Sequence, residues 1–219
     1  IDCVTSIGAC NVPTDEWGLD IVASGSQKGY MIPPGLSFIS VSEKAWEACE
    51  KSNLPKFYLD LKYYKKSLSN NSNPYTPAVN LVFALDESLK MMKEEGLRNI
   101  FSRHNKHKLA MSNAVKALNL KLFADERCLS PSITAIETED FDAEEFRKEI
   151  KNKFDILLAG GQDHLKGKIF RVGHLGYVND RDIITIVAAI SNTLLKRNKI
   201  STEQAGEALA IASKYLQEN

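Results

Sequence analysis

Residues 24–29, SGSQKG, set a lysine among small residues directly after the strand-like run DIVA. Small neighbours let the backbone come close to a ligand and leave the Lys28 amine unshielded. The competing reading of the same string is a solvated lysine in a turn. Asp2 closes a strand-like run 26 residues before Lys28; taken alone, it is equally an aspartate that caps a turn. Arg171 lies in FRVG, where Phe170 and Val172 are apolar. Strand alternation therefore sets Arg171 on the opposite face from both, although an arginine pointing outward from an edge strand satisfies the same pattern. His104 and His107 stand three apart on one helix with no carboxylate or cysteine to complete a metal set, and a plain helix face accounts for them. His164 and His174 have no spacing that argues for ligation. There is no Ser/His/Asp arrangement and no G-x-x-x-x-G-K-[ST] phosphate loop.

The elements that must hold these residues follow from period and punctuation. Residues 1–42 alternate short β-rich runs (Ile1–Val4, Leu19–Ala23, Leu36–Val41) with breaks at Ser6–Pro13, Ser24–Lys28 and Pro33–Gly35. Ser42 then caps a short helix through Cys49. Residues 66–74, KSLSNNSNP, read as loop. From Val79 the period is helical, with Leu81, Leu85, Leu89 and Met92 on one face and Gly96 as a C-cap or break. A second helix carries Leu97, Ile100, Phe101, His104, Met111, Val115 and Leu118 on one side. Strands at Lys121–Ala124 and Ile133–Glu139, a helix at Ala143–Lys153, and strands at Ile156–Ala159 and Lys168–His174 come next. Two helices, about 181–196 and 202–217, close the chain, the last capped by Ser201 or Thr202. Helices gathered on a small sheet make an α+β unit distinct from the β-rich start.

Bulk properties bound the function. The chain has 219 residues, enough for one large domain or two small ones. Lys plus Arg and Asp plus Glu number 28 each, so no net field favours nucleic acid or a membrane surface. No apolar run approaches the roughly 20 residues that span a bilayer, and the four cysteines form no C-x-x-C pair or disulfide framework. A cytoplasmic location is the expectation. Ile1 is not a methionine and IDCVTS reads as the end of a buried strand, so the chain is expected to be a piece of something longer.

Several stretches, in order, resemble the class V, fold-type I aminotransferases, most closely the alanine–glyoxylate and serine–glyoxylate branch. They are DCVTSIG (2–8), DEWGLDI (15–21), SGSQKG (24–29), PPGL (33–36), FYLDLK (57–62), TPAV (76–79), FDI (154–156), AGG (159–161) and GKIFRVGHLG (167–176). The set spreads over nearly the whole chain. The resemblance implies an α/β fold: the C-terminal part of a pyridoxal-phosphate-binding large domain over residues 1–98, with its sheet truncated, then a small α+β domain over 99–219.

It also implies a chemistry. Lys28 would attach the aldehyde of pyridoxal 5'-phosphate, a role that suits a nucleophilic amine. Freed by substrate, the same amine would shuttle a proton. Asp2 would pair with the pyridine nitrogen, and Val4, two residues on, would pack against the ring. Gln27 and Thr76 correspond to phosphate contacts, Thr76 reaching across the boundary of a homodimer; a hydroxyl at a helix N-terminus suits a phosphate or serves as a plain N-cap. The family's tyrosine three residues before that threonine falls here on Asn73, and the nearby tyrosine is Tyr75. Arg171 would clamp the substrate α-carboxylate with paired charge-assisted bonds. No metal is implied.

The expected activity is transfer of an amino group from alanine or serine to glyoxylate or pyruvate. The family's other half carries the phosphate-cradling loop and the ring-stacking aromatic, so weak cofactor binding and little turnover are expected of this chain by itself. Cysteine desulfurase is the rival within the family, but AGGQDHLKGK (159–168) holds no cysteine before Arg171. A non-catalytic subunit, as in the soluble-hydrogenase small-subunit label given to sequences of this branch, is the rival outside it.

Overall fold

A computed structural model describes residues 1–217, which divide into two compact units. Ile1–Ile7 and Val12–Glu94 form the first; Gly8–Asn11 join the residues from Glu95 onward in the second.

The first unit is built on an antiparallel pair, β1 (Ile21–Gly25) and β2 (Ser37–Val41), in register from Ile21↔Val41 to Gly25↔Ser37. The run expected as a strand at Ile1–Val4 contributes only an isolated parallel bridge, Asp2 to Ala23. Cys3 N donates to Ala23 O (2.8 Å) and Ala23 N to Ile1 O (3.0 Å). Helix α1 (Glu43–Lys51) starts at Ser42, whose Oγ accepts from Ala45 N at 3.1 Å and donates to Asp20 Oδ1 at 2.8 Å. That second bond ties the helix start to the residue before β1.

Helix α2 (Leu61–Leu68) runs into the stretch expected as loop from residue 66. Asp60 caps it by accepting from Lys62 N at 3.1 Å, and the loop begins only after it. Helix α3 (Val79–Glu95) buries Ser88 and Met92, while Leu89 is 46% exposed. The inward stripe is thus Leu81, Leu85, Ser88 and Met92. A polar residue occupies a place where the apolar pattern predicted a leucine. Gly96, at φ +83°, sits at the N-cap of the following helix, a backbone that glycine adopts without strain.

In the second unit, α4 (Leu97–Ala117) is followed by β3 (Lys121–Leu122), β4 (Ile133–Glu137), α5 (Ala143–Phe154), β5 (Ala159–Gly160), β6 (Ile169–Gly173), α6 (Asp180–Lys196) and α7 (Thr202–Gln217). The sheet order is β3-β4-β6-β5 with every pair antiparallel. β3 and β5 are two-residue edges, shorter than the strands expected at 121–124 and 156–159. Short edges present few unpaired backbone groups to other chains. Ile136 on β4 and Phe170 and Val172 on β6 face a core with Met111, Phe146, Ile150, Ile183, Ile190 and Leu194. The Phe146 and Phe170 rings lie 5.1 Å apart. Asp142 caps α5 by accepting from Glu145 N. Asn179 and Asp182 form a reciprocal capping box at α6. Ser201 caps α7, accepting from Gln204 N while its own N–H donates to Gln204 Oε1 at 2.9 Å.

Three histidines expected to lie on a helix face or in no particular arrangement are wholly interior: His104, His107 and His174. Gly176 N donates to His104 Nε2 (3.1 Å), so the ring proton sits on Nδ1 and faces Ile100 O at 2.7 Å. His174 is held between Thr134 Oγ1 (2.9 Å) and Pro131 O (3.0 Å). His107 Nε2 meets Asp180 Oδ1 at 2.9 Å. Arg103 adds bonds to Gly176 O (2.8 Å) and Val178 O (3.0 Å). One face of α4 therefore fastens the connection between β6 and α6.

Candidate functional site

Lys28 lies in the turn that leaves β1, and a single buried serine shapes that turn. Ser26 is fully buried. Its Oγ donates to Pro33 O at 2.8 Å and accepts from Leu36 N at 3.2 Å. Its own N–H donates to Leu36 O, and Ile32 N donates to Ser26 O. Residues 26–36 are closed on themselves around that side chain. Two contacts from α3 fix the outside of the loop. Ser88 Oγ donates to Tyr30 O, and Gly35, at φ +140°, lies so close to Leu81 that a Cβ would meet its Cδ1 at 2.6 Å. Lys28 O accepts from Met31 N (2.9 Å), Met31 taking a left-handed φ of 60°.

On this frame Lys28 is half-buried. Among the described residues, its amine has neither a hydrogen-bond nor an ion-pair partner. Gln27 is exposed, and its amide folds back so that Oε1 lies 3.0 Å from where a Cβ on Gly25 would stand. A side chain at position 25 would press on that amide. The Ser24 hydroxyl is enclosed and unpartnered among the described residues, a polar atom with capacity for one more bond.

Asp2 lies on the strand segment paired with Ala23, so the ladder brings it beside the strand that delivers Lys28. Its Oδ1 accepts from Val4 N at 2.9 Å, and no described residue engages Oδ2. Val4 is half-buried. Thr76 is exposed three residues ahead of α3 and makes no hydrogen bond to the Lys28 loop among the described residues. Asn73 is exposed, whereas Tyr75 joins Phe57, Tyr58 and Tyr64 in an aromatic cluster and donates to Phe57 O. Burial there raises the Tyr75 phenol above its ordinary pKa, with nearby acidic groups adding to the effect.

Arg171 belongs to the second unit. It pairs with Ala135 on β4 and Ala159 on β5, and it alternates onto the face opposite the buried Phe170 and Val172. Its neighbours in the ladder are small, and Arg171 itself is half-buried. Nε donates to Gly160 O at 2.9 Å; the two Nη groups have no partner among the described residues. A fork oriented through Nε with both Nη groups open matches the two oxygens of a carboxylate. Sequence reasoning did not single out Ser26 or Gly160 as residues that set these groups. The signal for Ser26 was present in its place between two small residues and the lysine. For Gly160 the AGG stretch gives no such signal.

The sequence pattern of the family described as Aminotransferase class-V matches residues 1–178. The chain belongs to the class-V aminotransferase family. Among curated relatives, the soluble hydrogenase 42 kDa subunit of Anabaena cylindrica is 59% identical over 90% of this chain and 51% of that protein. The serine–glyoxylate aminotransferase of Methylorubrum extorquens is 36% identical over 100% of this chain and 56% of that protein. Among solved structures, the ureidoglycine–glyoxylate aminotransferase of Bacillus subtilis superposes with a TM-score of 0.89 at 31% identity, covering 97% of this chain and 57% of that one. The fold is that of the fold-type I aminotransferases. This class-V chain spans about half the length of the curated relatives it matches. No described helix is long and apolar enough to cross a membrane.

Proposed function

We propose that the chain is part of a cytoplasmic, homodimeric pyridoxal-phosphate aminotransferase that moves an amino group from alanine or serine to glyoxylate or pyruvate. The observation that carries the reading is the Lys28 loop, a rigid turn pinned by Ser26 and Ser88 that presents an unpartnered amine. Family membership and the names of the glyoxylate aminotransferase relatives support it.

The donor set fits pyridoxal phosphate. It offers an amine for the aldehyde, a carboxylate with one unengaged oxygen for a protonated ring nitrogen, and an exposed amide and hydroxyl, Gln27 and Thr76, for phosphate. The bound cofactor supplies an electron sink for the negative charge that develops at the substrate α-carbon. Asp2 would hold the proton on the ring nitrogen, and Val4 would pack against the ring. The Lys28 amine would carry the proton removed from the α-carbon. Arg171 grips the substrate carboxylate through its Nη groups. In this reading residues 1–98 come from the cofactor-binding domain and 99–219 form the small domain, with Thr76 acting across the dimer.

The name of the Anabaena relative favours a second reading, a non-catalytic subunit. Asp2, Lys28 and Arg171 weigh against it, because a scaffold needs none of the three. The test is borohydride reduction of the full-length natural protein with pyridoxal phosphate, followed by peptide mass spectrometry. Label is expected on Lys28 alone, with none retained in Lys28→Ala. Label elsewhere, or an unlabelled wild type, refutes the proposal.

A further inference from the structure

We propose that Arg147, held by Glu144, is a positioning residue that sets the orientation of the Arg171 guanidinium by fixing the edge strand it bonds to. Calling Arg171 a carboxylate site rests on the function proposed above; the positioning itself is a separate claim.

β5 is two residues long, and its ladder to β6 gives it little hold. Among the described residues, its Gly160 carbonyl is nevertheless the one group that accepts from Arg171 Nε. The hold comes from α5. Arg147 Nε donates to Leu158 O at 2.8 Å, just upstream of the strand, and Arg147 Nη1 donates to both oxygens of Glu144 at 2.7 Å. This pair lies flat against Gly160: a Cβ there would stand 2.4 Å from Glu144 Oε1 and 2.5 Å from Arg147 Nη1. Both side chains are mostly withdrawn from solvent, at 21% and 29% exposure, which makes the pair less screened than a surface ion pair. Downstream, Gly161 N donates to Ile169 O, so the segment is held on both sides of the carbonyl. With Nε committed, rotation of the guanidinium is restricted and its two Nη groups point one way. The cost of ordering that fork is met before any carboxylate arrives. Arg147 touches no substrate in this scheme and acts only through Gly160.

The experiment uses this chain uniformly labelled with 15N and follows hydrogen exchange at each arginine Nε–H and at the backbone N–H groups by NMR. Loss of one signal in Arg171→Lys assigns Arg171. Arg98, exposed and without a hydrogen-bond partner among the described residues, provides the unprotected reference. Arg171 is expected to exchange about tenfold or more slowly than Arg98, the protection of one charge-assisted bond. In Arg147→Met that protection is lost, while backbone amides of Ala135 and Ile190 keep theirs; Arg147→Lys recovers part of it. Glu144→Gln gives a smaller loss and decides the matter if Arg147→Met does not fold. An unprotected Arg171 in the wild type overturns the proposal, as does protection that survives both variants. Titration with glyoxylate, read at the Arg171 Nη resonances, tests the carboxylate reading separately. Failure there, with the exchange results as expected, removes the substrate assignment and leaves the positioning role standing.

Discussion

Acid should unfasten the second unit, and His174 sets the scale. Burial is the chief cause that drives its pKa from 6.5 down to about 4, with the carbonyl of Pro131 opposing and the charges of His107 and His104 on α4 adding to the fall. In the unfolded chain the same ring titrates near its ordinary 6.5. Between those values the unfolded state binds a proton that the folded state refuses, so stability rises with pH across the window and is lost as pH falls from 6.5 to about 4. At about 1.4 kcal/mol per pH unit the loss from this one ring is about 3 kcal/mol. Burial also lowers the pKa values of His104 and His107, so they act in the same direction. The assay is urea unfolding at pH 7, 6, 5 and 4, read by far-UV circular dichroism. Both tryptophans, Trp17 and Trp46, belong to the first unit, so their fluorescence follows that unit separately. A 3 kcal/mol loss moves a midpoint by about 1.5 M where the urea slope is about 2 kcal/mol per M. His174→Asn should be less stable than wild type at pH 7. That deficit should close by about 3 kcal/mol on going to pH 4, because asparagine has no proton to take up. A deficit that stays constant across the four pH values refutes the reasoning.

Ser26→Ala removes the partner of the Pro33 carbonyl and of the Leu36 N–H, at a cost of about 0.5–1.5 kcal/mol per lost bond; tryptophan fluorescence during urea unfolding should show the loss, with no matching change in the second unit. Phe170→Ala empties the centre of the second core beside Phe146 and should cost about 3–5 kcal/mol, read by circular dichroism, with the tryptophan-reported transition unmoved.

Much of this was legible in the sequence where one residue type had one strong local job. Ser42 and Ser201 were readable as caps, and the alternation of Phe170, Arg171 and Val172 placed the arginine across the sheet from the core. Helix α2 was hidden because Asp60 falls inside a stretch read as a family motif, and the Asn- and Ser-rich residues after it drew the loop boundary back to 66. The Ser88 position on α3 could not be read from hydrophobic period, since its partner is a backbone carbonyl 58 residues away. The three histidines defeated spacing arguments for a similar reason. Their partners are backbone carbonyls, a hydroxyl, a backbone N–H and the Asp180 carboxylate, and apart from the Ile100 carbonyl one turn before His104 they come from 40 or more residues away. The candidate site shows the same division. Lys28 announced itself through its small neighbours, while the bonds that hold its loop and the carbonyl that aims Arg171 are long-range and silent in the sequence.

The stretch Ala159–Gly161 served as a signature of the family, yet its glycines answer to space. A methyl group on Gly161 would stand 2.1 Å from the Leu165 carbonyl oxygen, and one on Gly160 would strike the Glu144–Arg147 pair. A sequence in which either had become alanine would therefore signal a redrawn sheet edge, even with the lysine and arginine intact. Chemistry inferred from such a motif is really an inference about how closely two backbones are allowed to pass.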